Sequence, residues 1–132
     1  MQNIWDPLRR KEVALTPEEK VRQWFISVLN NQIGVPMHMM MSEVSFKLGL
    51  KQLRADIIVY GRDTKPLAVV ECKRPDVVVD ASVLEQAIRY NMVLAVNYII
   101  VTNGNTTYIF GKTDDGFKQL SLIPSYDQMT KL

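Results

Sequence analysis

The sequence predicts a single α/β domain in which a central mixed β-sheet is flanked by helices. Three observations support this fold class. An amphipathic helical pattern follows Thr16, three strand-like segments come after it, and a second helical pattern separates them from two further strand-like segments. The predicted order is α-β-β-β-α-β-β, and such mixtures of helices and strands pack as layers around one core. A chain of 132 residues has the length of one domain with a substantial core.

Composition and charge are those of an ordinary globular domain without disulfides or membrane spans. Hydrophobic residues make up 47% and charged residues 23% of the chain, as in ordinary globular domains. The single cysteine, Cys72, excludes an intramolecular disulfide and a cysteine-based zinc site, and this fits a reducing, cytoplasmic location. The apolar runs are far shorter than the ~20 residues that span a bilayer, so no membrane partner is expected. The net charge of +2 predicts no broad basic surface, so any contact with nucleic acid should be local.

The first predicted helix follows an N-terminal arm. Residues 1–14 show no clean periodicity and are expected to form this arm, ahead of one domain over residues 15–132. Thr16-Pro17-Glu18-Glu19 predicts a helix start with a capping box. In this motif the Thr16 side chain caps the helix, and the Glu19 side chain accepts a hydrogen bond from the Thr16 backbone N–H. The helix is expected to end near Asn30-Asn31, with Gly34 beyond it. Its apolar stripe consists of Val21, Trp24, Phe25, Val28 and Leu29.

The remaining elements are strand and helix patterns bounded by turn residues. The third strand is apolar almost throughout, which predicts burial on both faces, and Pro75 ends it. The stretch LGLKQ before Arg54 predicts a turn, and Asn103-Gly104-Asn105 predicts a hairpin turn. The predicted elements are strands Met39–Phe46, Arg54–Tyr60 and Leu67–Cys72, a helix Asp80–Ala95, strands Asn97–Thr102 and Thr106–Phe110, and a short strand Lys118–Ile123 before a helical end.

Three charged residues on the second and third strands are the best candidates for chemistry. Glu71 and Lys73 share one face of their strand because side chains alternate, and Cys72 points the other way. Asp56 lies among apolar residues, where a carboxylate requires a cation or hydrogen bonds. If the two strands pair, Asp56 and Glu71 lie side by side and offer the oxygen ligands that Mg²⁺ takes, while Lys73 can orient a water. The set indicates metal-dependent phosphodiester cleavage, although Glu71 and Lys73 alone could be a solvated ion pair.

These residues resemble a known family. Asp56 followed by Glu71-Cys72-Lys73 on the next strand, in this element order, resembles the PD-(D/E)xK nuclease superfamily with its restriction-endonuclease-like fold. Four segments resemble, more narrowly, the N-terminal nuclease domain of the type I restriction enzyme R subunit. They are LTPEEKVRQ from Leu15, RADIIV from Arg54, VECKRP from Val70 and VTNG from Val101, within a likeness that spans about Leu15 to Gly111.

The resemblance implies a set of metal ligands. A Mg²⁺ ion, with Mn²⁺ as a substitute, is expected on Asp56, Glu71 and the backbone carbonyl of Cys72. Lys73 is expected to act on the attacking water. Alanine precedes Asp56, where the superfamily's nominal pattern has proline, which is a common variation.

The resemblance also implies supporting residues on the helices. Gln86 and Tyr90 match a Gln-xxx-Tyr element of the type I group, and their spacing places both on one helix face. There they are expected to contact DNA phosphate or to hold the catalytic lysine and glutamate; the alternative is an ordinary polar helix edge. Glu19 is a weaker candidate, because first-helix acids assist the metal in some relatives but its capping role already explains it.

The predicted function is that of a Mg²⁺-dependent deoxyribonuclease with DNA as its partner. The sequence has no GxxxxGK[ST] phosphate loop, so no ATP site is expected in this chain. Motor, specificity and methylation subunits or domains of a restriction system are expected partners. Two alternatives stay open: a catalytically silent DNA-binding or assembly module with the same fold, and a structure-selective nuclease of the junction-resolvase kind.

Overall fold

The computed structural model describes residues 2–131, and a six-stranded mixed β-sheet forms its centre. The predicted order α-β-β-β-α-β-β is confirmed within a longer series of elements. They are β1 (Asn3–Asp6), β2 (Lys11–Ala14), α1 (Pro17–Val28), β3 (Met40–Leu48), β4 (Lys51–Tyr60), β5 (Pro66–Cys72), α2 (Ala81–Asn91), β6 (Tyr98–Thr102), β7 (Thr107–Thr113), β8 (Gly116–Leu120) and α3 (Tyr126–Thr130). Residues 1 and 132, the outer limits of the predicted arm and domain, lie outside the described residues.

The sheet has the strand order β3-β4-β5-β6-β7-β8. The central strands β5 and β6 run parallel, and the other neighbouring pairs run antiparallel. Parallel neighbours need a long crossover, and α2 provides it. Within residues 2–131, no helix is both long enough and apolar enough to cross a membrane.

Helices cover both faces of the sheet. Phe25 of α1 and Met129 of α3 belong to one apolar cluster, and Ala87 of α2 belongs to the other. Strand β5 contributes to both, because Val70 packs in the first cluster and Val69 in the second. This burial on both faces confirms the prediction from its apolar run, and it leaves the polar residues of β5 at the strand end.

Helix α1 begins where the sequence predicts. The Thr16 hydroxyl accepts a hydrogen bond from the backbone N–H of Glu19 at 3.1 Å, and Pro17 is the first helical residue. The predicted capping box is wrong in its second half: the Thr16 N–H donates to the Ala14 carbonyl at 3.1 Å, and the Glu19 carboxylate turns to arginine side chains. Those arginines, Arg22 buried and Arg9 half-buried, offer charge-assisted bonds, which are stronger than a bond to a backbone N–H.

The buried apolar face of α1 differs from the predicted stripe at two positions. Trp24 is 45% exposed at the edge of the stripe, whereas Ile26 is buried. The helix continues into a wider π-helical turn over Leu29–Ile33, which ends at Gly34 with φ 86°. Glycine adopts this left-handed conformation without steric cost.

The N-terminal arm expected over residues 1–14 forms a β-hairpin, in which β1 pairs antiparallel with β2. Asp6 is fully buried at the hairpin turn and accepts a hydrogen bond from the Leu8 N–H at 2.9 Å and an ion-paired one from Arg9. Arg9 also donates to Glu19 of α1 at 2.6 Å. Charged contacts therefore attach the hairpin to the first turns of α1.

Replacement of Asp6 should change how stability depends on pH. Burial by itself would raise the pKa of Asp6, but hydrogen bonds from Arg9 and Leu8 outweigh it and lower the pKa. This carboxylate therefore stabilises the fold above its unfolded pKa of about 3.8, and the contribution is lost as pH falls through the lower folded pKa. We expect Asp6→Asn to lower the free energy of unfolding by about 1–3 kcal/mol at pH 7.

Urea denaturation at pH 7 and pH 3 checks this prediction. The difference in stability between the two pH values should be smaller in Asp6→Asn than in the wild type. The exposed Asp114→Asn is the matched control and should behave like the wild type. Equal pH dependence in all three proteins would contradict the role given to Asp6.

Strands β3 and β4 form a ribbon that extends beyond the end of β5. The predicted turn LGLKQ is too long, because the strands pair as far as Leu48 and Lys51 and leave only Gly49, with φ 63°, and Leu50 in the turn. The two strands are in register on both sides of one interruption, at Glu43 and Asp56, where Glu43 has φ 54°. Beyond this interruption the ribbon changes the face that it buries, because Ile57 packs in the α1 cluster and Ala55 in the α2 cluster.

Candidate active site

An open pocket of about 790 Å³ lies where β4 and β5 leave the covered part of the sheet. Side chains from α1, from both strands and from α2 line it. The pocket brings together six residues singled out in the sequence: Asp56, Glu71, Cys72, Lys73, Gln86 and Tyr90. Glu19, the seventh, does not line this pocket.

The end of β5 supplies an acid and a base. The ammonium Nζ of Lys73 lies 2.8 Å from Oε2 of Glu71, so the two side chains share one face, as strand alternation predicts. Oε1 of Glu71 accepts a long hydrogen bond, 3.4 Å, from the amide of Asn91 on α2. Asn91 is itself buried and donates to the Ala87 carbonyl at 2.8 Å. Both oxygens of Glu71 are therefore oriented by neighbouring groups.

Asp56 has the cation and the hydrogen bond that its apolar surroundings require. The register Ile57–Val70 of the antiparallel pair, taken one step further, places Asp56 opposite Glu71. Oδ2 of Asp56 accepts the backbone N–H of Cys72 at 2.7 Å, and Oδ1 lies 3.1 Å from Nη2 of Arg22. The hydrogen bond ties the carboxylate to the end of β5.

Arg22 is the partner that the sequence prediction missed. It lies on α1, is 4% exposed, and its guanidinium contacts four carboxylates: Glu18, Glu19, Glu43 and Asp56. Burial alone would lower the pKa of Arg22, but the charges of Asp56, Glu19 and Glu43 raise it. A signal was present in the sequence, because an arginine at position 22 falls on the same helix face as Phe25, Ile26 and Leu29.

The two acids of the first helical turn have different environments. Glu19 is buried and binds Arg9, Arg22 and Gln23, so it belongs to the packing between α1 and the hairpin. Glu18 lines the pocket with its side chain 42% exposed. Burial and then the nearby charge of Asp56 raise the pKa of Glu18. The first-helix acid that faces the candidate site is therefore Glu18 instead of Glu19.

Tyr90 and Gln86 both line the pocket from α2, but among the described residues Tyr90 makes no hydrogen bond with Lys73 or Glu71. Its hydroxyl accepts the backbone N–H of Arg54 at 3.0 Å and lies 3.4 Å from the carbonyl of the same residue. This contact attaches α2 to the edge of β4 beyond the end of β5. Asn91, the residue after Tyr90, is the one that reaches Glu71.

Removal of the Tyr90 hydroxyl should loosen this edge of β4. We expect Tyr90→Phe to lower the free energy of unfolding by about 0.5–1.5 kcal/mol, since one hydrogen bond is lost. Amide hydrogen exchange at Arg54 should become faster, while exchange at Ile100 in the centre of the sheet should follow global stability alone. Tyr108→Phe is a matched control on β7 and should leave exchange at Arg54 unchanged; unchanged exchange in Tyr90→Phe as well would contradict the bond.

The Cys72 thiol faces away from the pocket. It is 2% exposed and packs in the α1 cluster. Burial and the charge of Asp56 raise its pKa well above the ordinary value of 9.0. A buried thiol with a raised pKa is a poor nucleophile, so the Cys72 thiol is unsuited to nucleophilic chemistry in this pocket.

The chemistry of these oxygen donors suits a hard divalent cation. Mg²⁺ is usually bound by one or two carboxylates, with waters and substrate oxygens completing its shell. Asp56 and Glu71 supply two carboxylates at neighbouring positions, and Glu18 adds a third at the rim. In the part of the chain that the structure describes, no three acid, histidine or cysteine side chains stand arranged to hold a metal ion by themselves. The residues fit an ion that keeps several waters.

Comparisons with known proteins bear on this fold and this pocket. A family model described as the type I restriction enzyme R protein N terminus matches residues 17–124. A solved fragment assigned as an HsdR subunit of a type I restriction enzyme from Vibrio vulnificus YJ016 is similar over 86% of this chain, with 23% identity and a TM-score of 0.64. The type IIG restriction endonuclease BpuSI is similar over 85% of the chain, with 17% identity and a TM-score of 0.50. A search of curated proteins returned no match.

The two solved structures and the family model support different statements. The chain covers 24% of the first structure and 15% of the second, so it spans a quarter or less of their length. At these identities they show a shared fold, that of restriction-enzyme nuclease-like domains. The family model covers most of the chain, and the predicted family resemblance is confirmed. The chain belongs to the type I restriction enzyme R protein N-terminal family.

Proposed function

We propose that this chain is a DNA endonuclease domain that hydrolyses phosphodiester bonds with Mg²⁺, or with Mn²⁺ in its place. One observation carries the proposal: Asp56, Glu71 and Lys73, which come from two neighbouring strands, line one open pocket. Paired carboxylates beside a lysine are suited to a cation, a water and a phosphate. Membership in the R-protein family supports the same chemistry.

The carboxylates of Asp56 and Glu71 and the backbone carbonyl of Cys72 would hold the ion. When bound, the ion supplies positive charge to the phosphate and activates a water. Asp56 is fixed by the Cys72 N–H, and Glu71 is fixed by Asn91 and Lys73. These contacts hold the ligands in place before the ion binds, so less ordering is needed on binding.

Lys73 is proposed to position the attacking water and to donate to the charge that develops on the phosphate oxygens. Its ammonium has three donors, and its bond to Glu71 uses one of them. At 34% exposure the side chain is in reach of a bound substrate. Charged donors directed at developing charge are a large source of rate enhancement.

Basic residues at the rim of the pocket are proposed to bind the DNA backbone. Lys51, Arg54 and Arg89 line the pocket and are exposed. A chain with a net charge of +2 neutralises few phosphates overall, so this local group carries the attraction. The affinity for DNA should therefore fall as the salt concentration rises.

The specific competitor is a catalytically silent module with the same fold. One observation favours it: Oδ1 of Asp56 is held by Arg22 and Oε2 of Glu71 is held by Lys73, so both acids already have cations. A silent module would bind DNA through the basic rim without taking up metal. Titration of Mn²⁺ by calorimetry separates the two, because only the nuclease requires an ion at Asp56 and Glu71.

Nicking of supercoiled plasmid DNA tests the proposed function directly. The wild type should nick with Mg²⁺ or Mn²⁺ and should be inactive with EDTA. Glu71→Gln keeps the shape of the side chain but removes its charge, and should lose nicking. Glu85→Gln, on the exposed surface of α2, is the matched control and should keep the wild-type rate. Nicking by Glu71→Gln at the wild-type rate would contradict the proposal.

We further propose that this chain acts on DNA in the cytoplasm together with motor, specificity and methylation subunits or domains of a restriction system. The family match supports these partners. Co-purification with such subunits, followed by cleavage of DNA that carries their recognition sequence, tests this part.

A further inference from the structure

One guanidinium nitrogen, Nη2 of Arg22, lies at the meeting point of three carboxylates. It is 2.7 Å from Oε1 of Glu43, 3.1 Å from Oδ1 of Asp56 and 3.4 Å from Oε1 of Glu18. These acids come from β3, β4 and α1, so tertiary packing alone brings them together. Three carboxylate oxygens converge on one buried cation, and carboxylates are also the ligands of hard divalent ions.

The surroundings of Arg22 show that its charge is directed into this group. The side chain is 5% exposed, and its Nε is buried without a hydrogen-bond partner among the described residues. The second terminal nitrogen, Nη1, lies 2.5 Å from Glu19. In an ordinary surface ion pair the charged groups are largely hydrated. The Arg22 guanidinium is instead enclosed by the acids, so its charge acts mainly on them.

The backbone of Glu43 also favours a dedicated role. Glu43 has φ 54°, a left-handed conformation that is strained for a residue with a side chain. The strain occurs where β3 and β4 interrupt their pairing, opposite Asp56. Both side chains point to Arg22 as a result. Strained backbone of this kind is concentrated at functional sites.

We propose that Arg22 is a built-in cation that takes the place of a second divalent metal ion, so that the site binds one ion only. This rests on the proposed function, in which that one ion lies on Asp56 and Glu71. Two-metal nucleases place two cations close together around shared carboxylates. Here Asp56 would be the shared carboxylate: its Oδ1 binds Arg22 at 3.1 Å, and together with Glu71 it would hold the proposed ion. A fixed guanidinium repels a second ion, and an arginine keeps its charge throughout the physiological pH range.

The test removes the charge of Arg22 and counts bound ions. Arg22→Met keeps most of the length and apolar volume of the side chain but leaves Glu18, Glu43 and Asp56 without it. Mn²⁺ titration by calorimetry should give one ion per chain for the wild type and two for Arg22→Met. The double variant Arg22→Met/Glu43→Gln should return to one. Arg54→Met is the matched control: Arg54 also binds Glu43, at 3.1 Å, but is 67% exposed, and this variant should still bind one ion.

Thermal unfolding gives a second measurement. Arg22→Met should unfold at a lower temperature than the wild type, because its acids repel one another. Millimolar Ca²⁺ should raise its midpoint by about 5 °C or more beyond the rise seen in the wild type, since an ion that binds only the folded chain stabilises it. If Arg22→Met does not fold alone, refolding with Ca²⁺ or Mn²⁺ should restore it.

The outcomes separate this inference from the proposed function. A wild type that binds no ion contradicts the proposed metal site at Asp56 and Glu71. Arg22→Met that binds as many ions as the wild type, or that no divalent ion restores to a folded state, overturns the role of Arg22. A gain of one ion on removal of Arg22, reversed by Glu43→Gln, supports it.

Discussion

Replacement of Lys73 by alanine is expected to slow Mg²⁺-dependent DNA cleavage at least about 100-fold, the lower range for loss of a positioned proton-transfer or charge-stabilising group. The fold should survive. Lys73 makes one ion pair, 2.8 Å from Glu71, and is 34% exposed. Pairs of this kind contribute about 0–1 kcal/mol to stability. A large loss of rate beside a small loss of stability identifies a residue that acts on the substrate.

Three measurements check this prediction. Plasmid nicking gives the rate, urea denaturation gives the free energy of unfolding, and Mn²⁺ titration gives metal affinity. Metal affinity should be unchanged or higher in Lys73→Ala, because a positive charge has left the pocket. Lys118→Ala, on the exposed surface of β8, is the matched control and should match the wild type in all three. Cleavage by Lys73→Ala at the wild-type rate would remove Lys73 from the proposed mechanism.

Replacement of Asp56 by asparagine is expected to abolish both cleavage and metal binding. The amide keeps the shape of the carboxylate and an oxygen that can accept the Cys72 N–H, which Asp56 now accepts at 2.7 Å. It does not keep the negative charge that a divalent ion requires. Arg22 keeps its contacts with Glu18, Glu19 and Glu43, so its buried charge stays paired when Asp56 is replaced. We expect a loss of stability of about 1–3 kcal/mol.

Comparison with Asp56→Ala separates the two roles of this carboxylate. Both variants should fail to bind Mn²⁺, but alanine also leaves the Cys72 N–H without its acceptor and should be the less stable. Calorimetry measures the first property and urea denaturation the second. Asp114→Asn, at an exposed turn, serves as the matched control. Mn²⁺ bound by Asp56→Asn with wild-type affinity would show that the ion lies elsewhere.

Local signals explain why the order of the elements was predictable. Thr16 caps α1 and Asp80 caps α2, and each accepts the backbone N–H three residues on. The turn at Asn103 follows from its own side chain, whose Oδ1 accepts the N–H groups of Asn105 and Thr106 at 2.9 and 2.8 Å. The apolar run of β5 matched burial on two faces, because a strand covered by helices on both sides has no polar face.

That Asp56 and Glu71 lie next to each other was also predictable. A short connection pairs the two strands antiparallel, and the alternation of side chains along a strand then sets the face on which each residue lies. The same rules predicted the wrong extent for the ribbon of β3 and β4. Its tip lies beyond β5, and Gly49 beside the exposed polar residues Lys51 and Gln52 favoured a turn there over continued strands.

The sequence by itself determined the element order, the central sheet and the placement of Asp56, Glu71 and Lys73 at one edge. Only the tertiary structure decided which partners these residues have. Arg22 lies 34 positions from Asp56, Asn91 lies 20 from Glu71 and Tyr90 lies 36 from Arg54. The physical reason is that strand and helix periodicities are set by the backbone within a few residues, whereas a contact between a helix and a sheet depends on how whole elements pack.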